Sequence, residues 1–347
     1  MQKNILILNF GGPQTANEVR PFLKELFSDT VGIKFGIPGF LQKILARFIA
    51  WRRSPGIIQK YQEIGGSSPL VPMTFELVKL LSEKLPGYQF FTAMRYTQPF
   101  AIKALQQMKE QGVTDAMVLP MYPHYSIATV ESSMVSLQEA MKELNYYPVL
   151  RPLCAWYDFP DYINAMVHQI QLGLKNFSEK PLLLFSAHGV PVSYIQEGDP
   201  YAQHVEHSVH LILDKLQWDG EHKLAWQSRV GPVKWLEPSM DDMLPQLAKD
   251  KKNLVMVIPI SFVGDHIETL HEIDIEYAHL AKEAGITEFK RMPSLNTEPV
   301  FVNCLANLIE KQFSIQKCVL TTCRCLQYSK NSVPPTSLNK LIQENFR

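Results

Sequence analysis

Hydrophobic positions along the chain fall into short, nearly unbroken runs separated by longer amphipathic stretches. The runs are Asn4–Phe10, Tyr88–Tyr96, Asp115–Tyr122 and Tyr147–Leu153, then Pro181–Ala187, Lys223–Val230, Asn253–Phe262 and Thr287–Pro293. A strand with apolar side chains at successive positions has both faces covered, as in a parallel sheet flanked by helices. Alternation with helical patterns then implies right-handed crossovers. The predicted fold class is α/β: two similar Rossmann-like, chelatase-type halves, each with a four-stranded parallel sheet flanked by helices.

The second half repeats landmarks of the first in the same order. NFGGP parallels SAHGVP, and AMRYTQP parallels QSRVGP, placing Arg95 and Arg229 at matching strand ends. VLPMYP parallels VIPISF, and LRP parallels KRMP. Glycine and proline punctuate any such fold, but four ordered matches favour duplication. The expected division is residues 1–150, residues 151–315 and a cysteine-containing extension over 316–347, with a helix near Glu298–Phe313 packing back on the first half. Open α/β sheets bind ligands beyond the carboxyl ends of their strands. Phe10, Gly11, Gly12, Arg95, Tyr96, Tyr122, His188, Gly189, Arg229, Phe262 and Asp265 are therefore expected to line one shared cleft. That mixture of flat and polar groups suits a flat aromatic ligand.

Composition narrows the class. The 347 residues are 46% hydrophobic and 20% charged with zero formal net charge, which allows a sizeable core and argues against nucleic acid as a partner. MQKNILILNF lacks the features of a secretory signal, and no run of eighteen apolar residues occurs, so a cytoplasmic protein without a membrane span is expected.

Two segments carry candidate chemistry. His188 follows the buried run LLLFSA, so its imidazole stands on a rigid support where it can take a proton or bind a metal. A histidine capping the next helix is the plainer alternative. In DHIETLHEIDIEYAH, Glu268, Glu272 and Glu276 lie four apart and form a column on a helix. Like charges so spaced cost roughly 0.2–0.5 kcal/mol per pair. No lysine or arginine lies within the segment, and His271, Asp274 and His279 add further metal-binding groups. A solvated acidic face would look similar, but the column suits a divalent cation in transit.

The strings LNFGGP, RRSP, YQEIGGSSP, MRYTQP, YPHYS, LFSAHGVP, GDPY, WQSRVGP, WLEP and DHIETLHEIDIEY occur in this order from Ile5 to about Leu305. In this ordered series the chain resembles the ferrochelatases, which insert Fe2+ into a porphyrin. The resemblance implies that His188 accepts the pyrrole protons while Glu268 faces it across the ring. His266, Glu272 and Glu276 would form the polar path for iron beside it. Phe10, Tyr61, Arg95, Tyr96, Tyr122, Trp235 and Phe262 would hold the porphyrin, with Arg52 and Arg53 toward its propionates. The substrate implied is protoporphyrin IX, with coproporphyrin III or a related cobalt or nickel tetrapyrrole chelatase as alternatives. A non-catalytic haem carrier would not need the carboxylate column. A redox protein using only the cysteines would leave His188 and Glu268 without a purpose.

Ile33–Arg53 has no counterpart in the second half. Phe40, Leu41, Ile44, Leu45, Phe48 and Ile49 make an apolar face opposite Lys43 and Arg47, the pattern of an interfacial helix or of one packed on the sheet. Ferrochelatases are similar in carrying an apolar lip, which implies peripheral attachment to the inner face of the cytoplasmic membrane. Cys318, Cys323 and Cys325 crowd into eight residues and read as metal ligands, with Cys154 as the fourth. Certain bacterial ferrochelatases imply a [2Fe–2S] cluster on such a set, and zinc is the chemical rival. A monomer and a homodimer are both compatible with the sequence.

Overall fold

The computed structural model describes residues 3–229 and 231–315. Contacts gather into two compact units: residues up to Ala155 with the described residues from Ile309 on, and Trp156–Leu308. The helix Pro299–Ile315 contributes its last turns to the first unit, where Phe313 meets Tyr88 edge-on with ring centroids 5.6 Å apart.

Each unit contains one four-stranded, wholly parallel sheet. The first is ordered β2–β1–β3–β4, from Lys3–Asn9 (β1), Tyr88–Met94 (β2), Asp115–Pro120 (β3) and Val149–Pro152 (β4). The second repeats that order as β6–β5–β7–β8, from Leu182–His188 (β5), His222–Gln227 (β6), Leu254–Pro259 (β7) and Glu288–Arg291 (β8). Central strands are buried on both faces: Ile5, Leu6 and Ile7, like Val255, Met256 and Val257, have no exposed surface. Each such aliphatic side chain contributes about 1.5–3 kcal/mol.

All eight apolar runs contain a strand, but most strands stop short of the run's end. Arg95–Tyr96, Met121–Tyr122 and Ile260–Phe262 continue the apolar pattern after the backbone has left the sheet. Tyr96, Met121, Tyr122 and Ile260 stay buried outside the sheet, so hydrophobicity alone overestimates strand length. The fifth strand differs, keeping His188 as its last residue.

After the third strand of each sheet the chain winds with i→i+5 hydrogen bonds, a π-helical geometry. The π-wound segment is Ile127–Glu131 in the first unit and Glu268–Tyr277 in the second. Such winding is rare and frequent at functional sites.

The helices α1 (Ala16–Ser28) and α2 (Gly39–Glu63) bury different kinds of face. α1 buries Val19, Phe22, Leu23 and Phe27. α2 buries the small or polar stripe Gln42, Ala46, Ala50 and Ser54, and leaves Phe40, Ile44, Phe48 and Trp51 more than half exposed. The large apolar residues of Ile33–Arg53 therefore point outward, which excludes the reading that they pack on the sheet. Small side chains let α2 approach closely, and Gln42 fixes it by donating to the carbonyls of Phe27, Asp29 and Ile33 at 3.1, 3.1 and 2.7 Å. Among the described residues no helix is long and apolar enough to cross a membrane.

Candidate active site

His188 closes β5, and the helix after β7 begins beside it. The imidazole Nδ1 lies 2.6 Å from the Gly189 carbonyl oxygen and donates its hydrogen there. That tautomer leaves Nε2 to exchange a proton. Nε2 lies 3.4 Å from Glu268 Oε1, and both side chains keep about a third of their surface exposed (34% and 30%). Burial opposes a charged imidazole, but the Glu268 carboxylate, its hydrogen bond and the more distant Glu272 outweigh it. The His188 pKa is lifted to about 9. For Glu268 burial pulls upward, and His188 and His266 overcome it, holding the carboxyl far below its ordinary range.

The glutamates do not form one uniform column. His266 Nε2 lies 2.9 Å from Glu268 Oε2, and its ring centroid is 4.3 Å from that of Phe262. Phe262 in turn stands edge-on to His188 at 6.3 Å. Glu272 accepts from the Gln227 amide at 3.1 Å, from the Ser228 hydroxyl and from Tyr277 at 3.1 Å. Burial and the neighbouring Glu268 charge raise its pKa. Glu276 is the outlying member: it is exposed and pairs with the buried His271 at 3.6 Å. Asp274 is held by Arg291, and His279 by Glu283 at 3.4 Å. Among the described residues no three histidine, cysteine, aspartate or glutamate side chains converge as a ready metal cage.

Gln227 is a member that the sequence pattern missed. It is fully buried, accepts from Ser186 at 2.7 Å, and donates to the Glu268 carbonyl and to Glu272, both at 3.1 Å. It lies in the string WQSRVGP, but nothing in an isolated glutamine signals such a role.

Other strand-end residues have protein partners. Gly11 has φ +83°, and a Cβ there would lie 2.3 Å from Thr97 Oγ1, so packing requires glycine. Gly189 is similar: a Cβ would lie 2.9 Å from the Gln227 carbonyl and 3.2 Å from the Trp235 ring. Arg229 pairs with Asp242 at the surface. In the first unit Arg95 pairs with the buried Asp29 at 2.9 Å, and the Tyr96 hydroxyl donates to the same carboxylate at 2.7 Å. Phe10 packs on Tyr96 at 4.7 Å, while Tyr61 and Tyr122 are buried. Arg52 and Arg53 are exposed on α2, with the Arg53 guanidinium 5.6 Å from the Phe27 ring centroid.

Cys154 is buried, its sulfur 3.9 Å from the Pro152 carbonyl oxygen, and Cys304 is buried within the helix Pro299–Ile315. Cys318, Cys323 and Cys325 lie outside the described residues.

Comparison with known proteins identifies the family. A family model described as ferrochelatase matches residues 2–313. A ferrochelatase of Geobacter metallireducens is 46% identical over 312 residues, covering 88% of this chain and 97% of its own. A ferrochelatase of Trichodesmium erythraeum is 44% identical over 318 residues, covering 88% and 81%. Among solved structures, SirB from Bacillus subtilis with Fe3+ superposes with a TM-score of 0.55 at 12% identity, covering 91% of this chain and 97% of SirB. That last likeness concerns the fold alone.

Proposed function

We infer the chemistry from one premise: this chain belongs to the ferrochelatase family. It is a metal-insertion enzyme whose substrates are a porphyrin and ferrous iron. We propose that His188 and Glu268 carry the reaction, and the observation that supports this best is their 3.4 Å contact.

Free porphyrin holds two inner N–H protons, and both must leave as Fe2+ takes the four ring nitrogens. Groups on opposite faces of a flat ring each stay about 3.5 Å from it, so they stand about 7 Å apart. Admitting the ring between His188 and Glu268 therefore opens their contact. Paired, His188 is an imidazolium at neutral pH, with its pKa near 9. Separated from Glu268, it keeps the burial that favours the neutral ring and loses the carboxylate that opposed it. On separation His188 releases its proton to solvent through its exposed third, and it can then take the two pyrrole protons one after the other, passing the first to solvent before it accepts the second. Glu268, freed from His188 and still held by His266, and Glu272 present carboxylate oxygens to Fe2+ on the other face. Iron enters by the glutamates, whose charge attracts it, while His188 on the other face carries a pyrrole proton and repels it.

Phe262, edge-on to His188, and Trp235, beside Gly189, offer faces for the ring, and Phe10, Tyr61, Arg95, Tyr96, Tyr122, Arg52 and Arg53 keep the porphyrin-holding role implied by resemblance. His188→Ala should bind porphyrin, followed by its fluorescence, yet insert iron about 10²–10⁴-fold more slowly. Normal turnover would refute the base role.

Three finer readings belong to the same proposal. Protoporphyrin IX is the preferred substrate, tested by comparing it with coproporphyrin III under anaerobic conditions with Fe2+. The outward apolar stripe of α2 seats the protein on a membrane surface, because between Asp29 and Glu63 the chain carries lysines and arginines and no acidic residue. Failure to sediment with anionic vesicles would contradict it. Cys154, Cys318, Cys323 and Cys325 hold a [2Fe–2S] cluster, on the strength of the thiol set and the bacterial resemblance. Anaerobically purified protein that is colourless and contains zinc would contradict that.

A further inference from the structure

A π-wound helix is poorly favoured on its own, so something outside it must hold the winding that aims Glu268 and Glu272. One side is pinned by Gln227, which donates to the Glu268 carbonyl and the Glu272 carboxylate. The other side is met by a cation from a distant strand. Arg291, the last residue of β8, directs Nε and Nη2 to the two oxygens of Asp274 at 2.9 and 2.8 Å. Its Nη1 reaches Asp265 Oδ1 at 3.0 Å and the Ser294 hydroxyl at 2.7 Å. The arginine side chain is only 11% exposed and its Asp265 partner 20%, while Asp274 reaches the surface at 36%.

The placement of the two aspartates matters. Asp265 lies in the loop three residues before Glu268, and Asp274 lies within the π-wound segment Glu268–Tyr277, two residues after Glu272. A single guanidinium fork therefore ties the loop that leads into the helix to the π-wound turns that carry Glu268 and Glu272. Asp265 is itself fixed: Ser294 and Asn296 donate to its carboxylate at 2.6 and 2.8 Å, and its N–H donates to Asn296 Oδ1 at 2.8 Å. Asn296 has φ +43°, a left-handed conformation that asparagine tolerates.

We propose that Arg291 is a positioning residue for metal insertion, tying the loop at Asp265 to the π-wound turns at Asp274 through its fork on both carboxylates. It touches neither reacting atom and acts through the placement of Glu268 and Glu272. The inference rests on the catalytic reading of Glu268 but is separable from it.

The test uses the full-length enzyme with porphyrin and Fe2+ under anaerobic conditions. Arg291→Lys retains the charge, but a single ammonium cannot span three carboxylate oxygens. It should fold, melt close to the wild type and keep the porphyrin KM within about threefold. Its kcat should fall about tenfold or more, as expected when a catalytic group is displaced by part of an ångström. Asp274→Asn, which keeps Asp265 as an anchor, should show a smaller loss of the same kind. Wild-type kcat in Arg291→Lys would overturn the proposal, because charge alone would then suffice. A KM that rises in step with any loss of kcat would also overturn it, pointing to general disruption. Should Arg291→Lys fail to fold, Asp274→Asn decides, and an unchanged kcat there refutes the clamp. Glu268→Gln is the parallel control: if it turns over normally, the catalytic reading fails whatever the Arg291 variants do.

Discussion

The two sheets share strand order and a π-wound segment after the third strand, yet their polar clusters are balanced in opposite ways. In the first unit Asp29 is neutralised by groups whose charge or hydrogen does not change near neutral pH. The Arg95 guanidinium pairs with it, the Tyr96 and Ser132 hydroxyls donate to it, and the Val31 and Gly32 N–H groups donate to its other oxygen at 2.8 and 3.0 Å. Burial pushes the Asp29 pKa up, but these partners prevail and hold it below the ordinary value. In the second unit Glu268 is balanced by histidines, which can lose their protons, and Glu272 by neutral donors and the more distant His188. Proton chemistry belongs where charge is matched by groups that titrate. Among the described residues, the first cluster has no partner of Asp29 that exchanges a proton near neutral pH.

That contrast predicts unequal costs of removing a carboxylate. Asp29→Asn leaves the Arg95 guanidinium without its counter-ion in a nearly closed site and should lower stability by about 3 kcal/mol. Glu268→Gln, whose partners are a third exposed or neutral when it is gone, should cost less than about 1 kcal/mol. Urea denaturation of both variants measures the difference, and similar costs would break the comparison.

A smaller effect concerns pH. The His188 pKa is raised to about 9, so its pairing stabilises the folded protein fully below the ordinary histidine value of about 6.5 and is lost as pH rises through 9. Asp29 has a lowered pKa, and its contribution is present above the ordinary carboxyl value and lost only as pH falls through the lowered one. Between about pH 6.5 and 9 the pH dependence therefore comes from the second unit and not from Asp29. Thermal melting across that window should show a modest decline that His188→Ala flattens and Asp29→Asn leaves in place. A slope unchanged by His188→Ala would contradict the pairing.

Much of this was legible in the sequence because it rests on local signals. The eight apolar runs located the strands, and the internal repetition foretold two similar four-stranded parallel sheets. His188 was recognisable because a histidine ending a buried run has few places to point. What stayed hidden depends on contacts distant in the chain. Asp29 lies 66 residues before Arg95, in a loop after α1 without a motif. Arg291 was visible in KRMP only as a mark of duplication, and the acidic segment seemed to lack any cation because its cation comes from β8. The spacing of Glu268, Glu272 and Glu276 suggested an α-helical column. The π winding separates them instead, keeping the first two together and sending Glu276 to His271. For Ile33–Arg53 the pattern found an amphipathic helix but could not say which face is buried. A stripe of alanine, serine and glutamine at four-residue spacing decided it.

The central claim, that the His188–Glu268 pair performs the insertion, is tested most directly by anaerobic single-turnover measurement of Fe2+ insertion in Glu268→Gln and His188→Ala, alongside porphyrin binding by fluorescence. The account predicts that both variants bind porphyrin and that both form product about 10²–10⁴-fold more slowly than the wild type. Product formation at the wild-type rate in either variant would contradict it.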